Sequence, residues 1–277
     1  LNKLVLIGWY FPETMGILAS ARRTNLISYE LQHGKQGSYQ AMYSGWKNIS
    51  EIGFYDNLPN YFLTWNNYSK DNIYRSDKSR KDHIPLLFFN PEIFWNYLTI
   101  KEAKTINYKI SKRLLFIASI QEGEIEDIMP IENILSLVNI LDSKISLRIR
   151  FHPNTPKSLI RKNLARINKI KEDFINIDLS ISDANNSFLN ELEWCTHLLT
   201  FYSTCCLEAN KYKKGVCVIG NDSKEIYSEV IDHKRFIWIQ KLELTYSKIF
   251  SKWLNSSFEE KVISNNEEID IIEIKNK

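Results

Sequence analysis

The sequence predicts an α/β protein built on parallel sheets in two domains. Three observations predict it. From residue 112 onward, short apolar β-rich runs alternate with amphipathic stretches across short connections. Near the start, "KLVLIGW" (3–9), "PETMGILASARRT" (12–24) and "LISYELQ" (26–32) repeat strand, helix, strand. Three of the strand-like runs also end in chemically loaded tips: "LQHGKQG", "RIRFHPN" and "FYSTCCLEA".

The second half reads most clearly. "KRLLFIAS" (112–119) is a buried strand, and "PIENILSLVNIL" (130–141) has helical apolar spacing behind a proline suited to a first turn. "ISLRIRFH" (145–152) is a strand and "TPKSLIRKNLARINKI" (155–170) an amphipathic helix with a basic outer face. "FINIDLS" (174–180), "THLLTFY" (196–202) and "GVCVIG" (215–220) are strands. Between them, "NSFLNELEWC" (186–195) and "STCCLEANKY" (203–212) are helices. Residues from about 112 to 240 are therefore expected to form a parallel sheet with helices on both faces.

The first hundred residues are less regular. After the strand at 26–32 comes an aromatic, glycine-containing loop (35–57), then a strand-to-helix pattern in "NYFLTWNNYSKDNIYR". The boundaries expected are an N-terminal domain over 1–105, short or truncated, a second domain over 106–250 and a tail over 251–277. The polar stretch "TIKEAKTINYKISK" (99–112) serves as the linker. Leu1 is not a start methionine, so the chain is expected to be trimmed or processed.

Composition narrows the function classes. A net charge of +3 over 277 residues argues against nucleic-acid binding driven by bulk charge. No apolar run approaches the roughly 20 residues of a membrane span, and no signal peptide is visible, so a cytoplasmic protein is expected. Cys195, Cys205, Cys206 and Cys217 lack zinc-ligand spacing and read as buried, reduced thiols. No metal site is expected.

In open α/β sheets, ligands bind outside the carboxyl ends of the strands, which is where the three tips lie, and they are expected to face one cleft. Ser203 and Thr204 stand where a strand becomes a helix, a place for an anion or for a simple cap. Glu208, one turn on, is either a ribose acceptor or a surface carboxylate. His152 precedes Pro153, which keeps the backbone extended and ends the strand sharply; the imidazole is a phosphate donor or a turn histidine. Arg148 and Arg150 alternate with Ile149 and share one face, as charges behind a phosphate or as surface residues. His33 is followed by Gly34 and Gly37, which permit close backbone approach to a ligand, and Glu30 and Glu13 are the nearby carboxylates. His83, His197 and His233 read as structural or solvated.

Together "LQHGKQG", "LPNYFLTWNNYSKDNI", "RIRFHPN" and "FYSTCCLEA" resemble the bacterial GT-B glycosyltransferases of capsule and lipopolysaccharide synthesis. The His-Pro and Ser-Thr pair is similar to the motifs of bacterial sialyltransferases, and also to those of CDP-glycerol glycerophosphotransferases. The resemblance implies two Rossmann-type domains and a metal-independent transferase without cofactor. It implies a nucleotide-sugar donor, CMP-linked by preference, held by His152, Pro153, Ser203, Thr204, Glu208 and Arg150. The acceptor would be an oligosaccharide or a lipid-linked chain, with peripheral contact to the inner membrane face or to assembly proteins. The sialyltransferase acidic segment before glycine is absent, and "QHG" occupies a comparable strand tip, so His33, Glu30 or Glu13 would serve as base. Alternatives are a CDP-alcohol phosphotransferase, a sugar-nucleotide epimerase, which shares the fold, and a non-catalytic nucleotide-binding subunit.

Overall fold

The structure is a computed structural model that describes residues 3–32, 34, 43, 57–64, 69–71, 73, 86–88, 112–118, 130–141, 144–153, 155–183 and 186–256. The chain divides into two units, Leu1–Ala103 and Lys104–Lys277.

In the first unit, β1 (Lys3–Leu6), β2 (Ile27–Leu31), β3 (Tyr61–Thr64) and β4 (Leu86–Phe88) form a sheet in the order β1-β2-β3-β4, every pair parallel. Helix α1 (Pro12–Arg23) joins the first two strands. The sequence pattern carried β1 to residue 9, but the strand ends at Leu6 because Gly8 turns the chain at φ +71°. A side chain there would also meet the Phe11 ring at 2.3 Å, so glycine is required twice over. One face of this sheet is packed: Leu4 and Leu6 lie against Trp9, Leu18, Tyr43, Leu58, Phe62 and Ile73.

The second unit holds β5 (Lys112–Ala118), β6 (Ile145–Phe151), β7 (Ile177–Ile181), β8 (His197–Thr200), β9 (Gly215–Ile219) and β10 (Phe236–Ile239). Their order is β10-β9-β8-β5-β6-β7, all parallel. This is the doubly wound Rossmann order, in which the chain builds outward in both directions from a central pair. Its α-helices among the described residues are α2 (Ile131–Asn139), α3 (Lys157–Ile170), α4 (Phe188–Trp194), α5 (Cys205–Lys211), α6 (Asn221–Ile226) and α7 (Ser247–Asn255).

Alternation along each strand divides the core between two faces. Leu114, Phe116, Leu147 and Ile149 pack with Ile134 and Leu135 of α2, Ile167 of α3 and Phe250 and Trp253 of α7. Leu115, Ile117, Leu198, Val216 and Val218 pack with Leu192 of α4 and Cys206 and Ala209 of α5. Both faces are covered, as expected from sequence. Helix α7 runs to Asn255, past residue 250, where the tail was expected to begin.

Candidate functional site

The order of the second sheet locates a crevice. Connections leave β5 toward β6 on one side while β8 starts the other half, so the carboxyl ends of β5 and β8 mark the topological switch point. Ala118 is level with Phe151, so His152 stands one residue beyond the last pair of β5 and β6. Ile117 is level with Thr200, so the chain leaving β8 as Phe201, Tyr202 and Ser203 rises on the opposite side of β5. The two tips flank one strand, a lateral separation of about 10 Å at ordinary strand spacing.

His152 and Pro153 are exposed at this edge. The Thr155 amide donates to the His152 carbonyl at 2.9 Å, closing the turn that leads into α3. Ser203 and Thr204 are half-buried, and Thr204 is the residue that precedes α5. The Ser203 Oγ accepts from the Cys205 amide at a long 3.4 Å, and no side chain caps α5 at Thr204. So the hydroxyl pair sits just before the helix rather than inside it, where the sequence pattern began the helix at 203.

Two residues that sequence reasoning did not single out fix this loop. Ser223 of α6 donates to the Phe201 carbonyl, and the Tyr227 hydroxyl donates to the Tyr202 carbonyl at 2.9 Å. Both carbonyls have just left the sheet ladder, and both are satisfied from the same neighbouring segment. The path of the chain into Ser203 is thereby set.

Glu208 is half-buried on α5, and burial pushes its carboxyl up from the usual carboxylate range. Burial likewise carries the Cys205 thiol to about 11, with Glu208 raising it further and Arg150 lowering it. Glu208 and Arg150 thus both act electrostatically on the first residue of α5, although they come from different elements.

Arg150 is already committed in part. Its guanidinium donates to the Ser182 Oγ at 3.2 Å and to the Asn186 carbonyl at 2.9 Å, and lies 4.0 Å from Glu191. Glu191 of α4 is fully buried and also accepts from Arg148, Ser182 and Asn186. The shared face expected for Arg148 and Arg150 is real, and its organiser is a carboxylate 43 residues from Arg148. No local pattern could have marked Glu191, because its partners lie on separate elements.

In the first unit, Glu30 is buried on β2. Its Oε1 accepts from the Gly8 amide at 3.1 Å and the Tyr43 hydroxyl at 2.7 Å, and its Oε2 from the Trp9 amide at 3.1 Å. Burial raises its pKa to about 6 against the lowering effect of those bonds. Glu30 therefore pins the turn after β1. Glu13 is exposed in the first turn of α1. Gly34 is half-buried, its carbonyl accepting from the Gln32 side chain at 2.7 Å. His33, Gly37 and His83 lie outside the described residues.

His197 is structural: it is buried, its Nε2 donates to the Trp253 carbonyl at 3.1 Å, and burial lowers its pKa to about 4. His233 is exposed, with φ +59°. Among the described residues no three of His, Cys, Asp and Glu gather as metal ligands would, and no helix is long and apolar enough to cross a membrane. Cys195, Cys206 and Cys217 are buried and in no disulfide, while Cys205 is only half-buried.

No family model matches the chain, and no curated protein is similar to it in sequence. Solved structures are similar in fold. The UDP-GlcNAc 2-epimerase of Methanocaldococcus jannaschii, solved with UDP-GlcNAc and UDP, superposes with a TM-score of 0.61 at 17% identity, over 93% of this chain and 70% of that one. Staphylococcus aureus MnaA, solved with UDP, gives 0.57 at 16% identity, over 93% of this chain and 69% of its own. Anabaena HepE, solved with UDP and glucose, gives 0.53 at 7% identity, over 92% and 68%. The chain therefore has the GT-B-like α/β fold, with Rossmann-like parallel sheets.

Proposed function

We propose that the protein is an enzyme acting on a nucleotide-activated sugar, with epimerisation of the sugar placed ahead of its transfer to an acceptor. The observation that carries this reading is the placement of His152 and Ser203–Thr204 on either side of the carboxyl end of β5. It is supported by a fold shared with a protein named a UDP-GlcNAc 2-epimerase, solved with UDP-GlcNAc and UDP, and with HepE, solved with UDP and glucose.

In this reading the imidazole of His152 and the hydroxyls before α5 donate to the diphosphate, and Pro153 holds the first of them at the strand tip. Glu208 accepts from the ribose hydroxyls, and Arg150 adds positive charge behind the phosphates. Cleaving or loosening the bond to phosphate builds charge on the leaving oxygens, and fixed donors stabilise it without reorganisation. Inverting a sugar carbon further requires one proton taken and one returned. The groups for that step are sought in the first unit, with His33 from the sequence and Glu13 as an exposed carboxylate of α1; Glu30 already holds three donors.

The test is incubation with UDP-GlcNAc and no acceptor, followed by proton NMR. Appearance of the C2 epimer supports epimerisation. Release of UDP only when a glycan or lipid-linked acceptor is added supports the second reading, a surface-polysaccharide glycosyltransferase, which the order of the four sequence motifs favours. Parallel incubations with CMP-sugar and CDP-glycerol separate the remaining donors. Binding without turnover of any donor would leave a nucleotide-binding subunit.

A further inference from the structure

Arg148 and Arg150 leave the same face of β6 and meet the same carboxylate, yet they meet it differently. The Arg148 Nη1 donates to the Glu191 Oε2 at 3.0 Å, and its guanidinium lies 3.8 Å over the Trp194 ring. The Arg150 Nη1 is 4.0 Å from the Glu191 Oε1. Between those two atoms stands Ser182, whose Oγ donates to Oε1 at 2.7 Å and accepts from the Arg150 Nη1 at 3.2 Å. Asn186 closes the set: its Nδ2 donates to Oε1 at 3.1 Å, and its carbonyl accepts from the Arg150 Nη2 at 2.9 Å. The Ser182 amide donates to the Ile149 carbonyl at 2.8 Å, which holds this spacer just past the end of β7, beside Arg150.

The charges do not balance. Two guanidinium groups face one carboxylate, so one positive charge is left over. Arg148 takes the carboxylate, and both oxygens of Glu191 are filled by Arg148, Ser182 and Asn186. Arg150 donates instead to two neutral oxygens, a hydroxyl and a backbone carbonyl. Its side chain is only 16% exposed. A largely buried cation is costly unless an anion accompanies it, and the carboxylate beside this one is already matched by Arg148. The surplus charge stands at the switch point. Arg150 is level with Ile117 of β5 and Ile117 with Thr200 of β8, and His152 follows two residues on. It is also felt across β5, where it works against the rise that burial gives the Cys205 thiol.

We infer that Arg148 is a positioning residue for the nucleotide site: by holding Glu191, with Ser182 as spacer, it keeps the charge of Arg150 available to the diphosphate of the ligand. The inference rests on the nucleotide-sugar reading above and deepens it, since Arg148 acts through Glu191 on Arg150 and not on the ligand. Without Arg148, Glu191 becomes an uncompensated buried carboxylate. Arg150 is then the cation beside it, 4.0 Å away, and only the Ser182 hydroxyl has to move for the two to meet. Arg150 turns to Glu191 and is lost to the ligand. With the charge of Glu191 removed as well, Arg150 has no such carboxylate to turn to. Affinity for a diphosphate therefore falls with the first change and returns with the second.

Calorimetry with UDP and with inorganic pyrophosphate tests this on the full chain, after circular dichroism has confirmed the fold of each variant. Arg148→Met is expected to weaken both ligands about ten-fold, the loss of one charge-assisted hydrogen bond at Arg150. Arg148→Met combined with Glu191→Gln is expected to bring both back to within about two-fold of the parent, a coupling that independent sites do not show. A role confined to stability gives the opposite order, because the double variant lacks two members of the network and the single variant only one. If Arg148→Met does not fold, Ser182→Ala replaces it. Without the hydroxyl Arg150 closes directly on Glu191, affinity falls, and the addition of Glu191→Gln restores it. Parental affinity in the single variant, or a double variant weaker than the single, overturns the inference while the nucleotide reading stands, since the parent still binds. A parent that binds neither UDP nor pyrophosphate ends the nucleotide reading and this inference with it.

Discussion

Arg148 holds its guanidinium 3.0 Å from the carboxylate of Glu191, which has no exposed surface, and lies 3.8 Å over the Trp194 ring. Burial alone would raise the pKa of Glu191, but hydrogen bonds from Ser182, Arg148 and Asn186 and the Arg148 charge outweigh it, and the net shift is downward. A depressed carboxylate contributes stability that is present above its unfolded pKa, about 4.3, and lost as pH falls through the lower folded value.

Glu191→Ala should therefore destabilise the protein by about 3 kcal/mol at pH 7, the low end for breaking a buried pair because Arg148 retains some solvent. Urea unfolding checks it, and the difference from the parent should shrink below about pH 4.

Glu30 behaves in the opposite sense. Its folded pKa of about 6 lies above the unfolded value, so its contribution is complete below that unfolded value and is lost as pH rises through 6. The shift corresponds to about 2 kcal/mol between pH 4 and pH 7.5. Glu30→Gln removes the titration, so the stability difference between those two pH values should narrow by that amount in parallel urea melts.

His152→Ala and the double change Ser203→Ala with Thr204→Ala should each weaken UDP binding about ten-fold or more, as expected for loss of a charge-assisted hydrogen bond worth about 1.5–3 kcal/mol. Calorimetry with UDP reads the affinity, and circular dichroism confirms the fold. Unchanged affinity in both would return these residues to caps and turns.

His33→Ala should bind UDP like the parent and lose about 10²–10⁴ in turnover per folded molecule, the usual size of an acid–base contribution. Turnover near the parental rate would move the search to Glu13.

The second unit was legible because strands buried on both sides read as continuous apolar runs. The run expected at 112–119 is β5 at Lys112–Ala118, and that at 215–220 is β9 at Gly215–Ile219. Strand tips were legible for the same reason: the end of an apolar run is visible in sequence. Contacts that hold the tips were not. Tyr227 reaches Tyr202 across 25 residues and Ser223 reaches Phe201 across 22, distances at which sequence carries no spacing signal. Nor does a carboxylate such as Glu30 announce itself as buried, since its partners are two backbone amides of a turn and a tyrosine in the next connection.

The cysteines turn the second unit into its own stopwatch. Burial raises the thiol pKa of Cys195 to about 12, that of Cys205 to about 11, and that of Cys217 higher still. Only the thiolate reacts with an alkylating reagent, so at pH 8 the buried Cys195 and Cys217 react slowly while the sheet is closed, whereas the half-buried Cys205 does not depend on opening. Labelling then proceeds at the rate at which β9 and its neighbours open, and Cys217, fully buried on that strand, clocks the slowest event. A time course of iodoacetamide uptake, resolved by peptide, would rank the openings of this unit without any added probe.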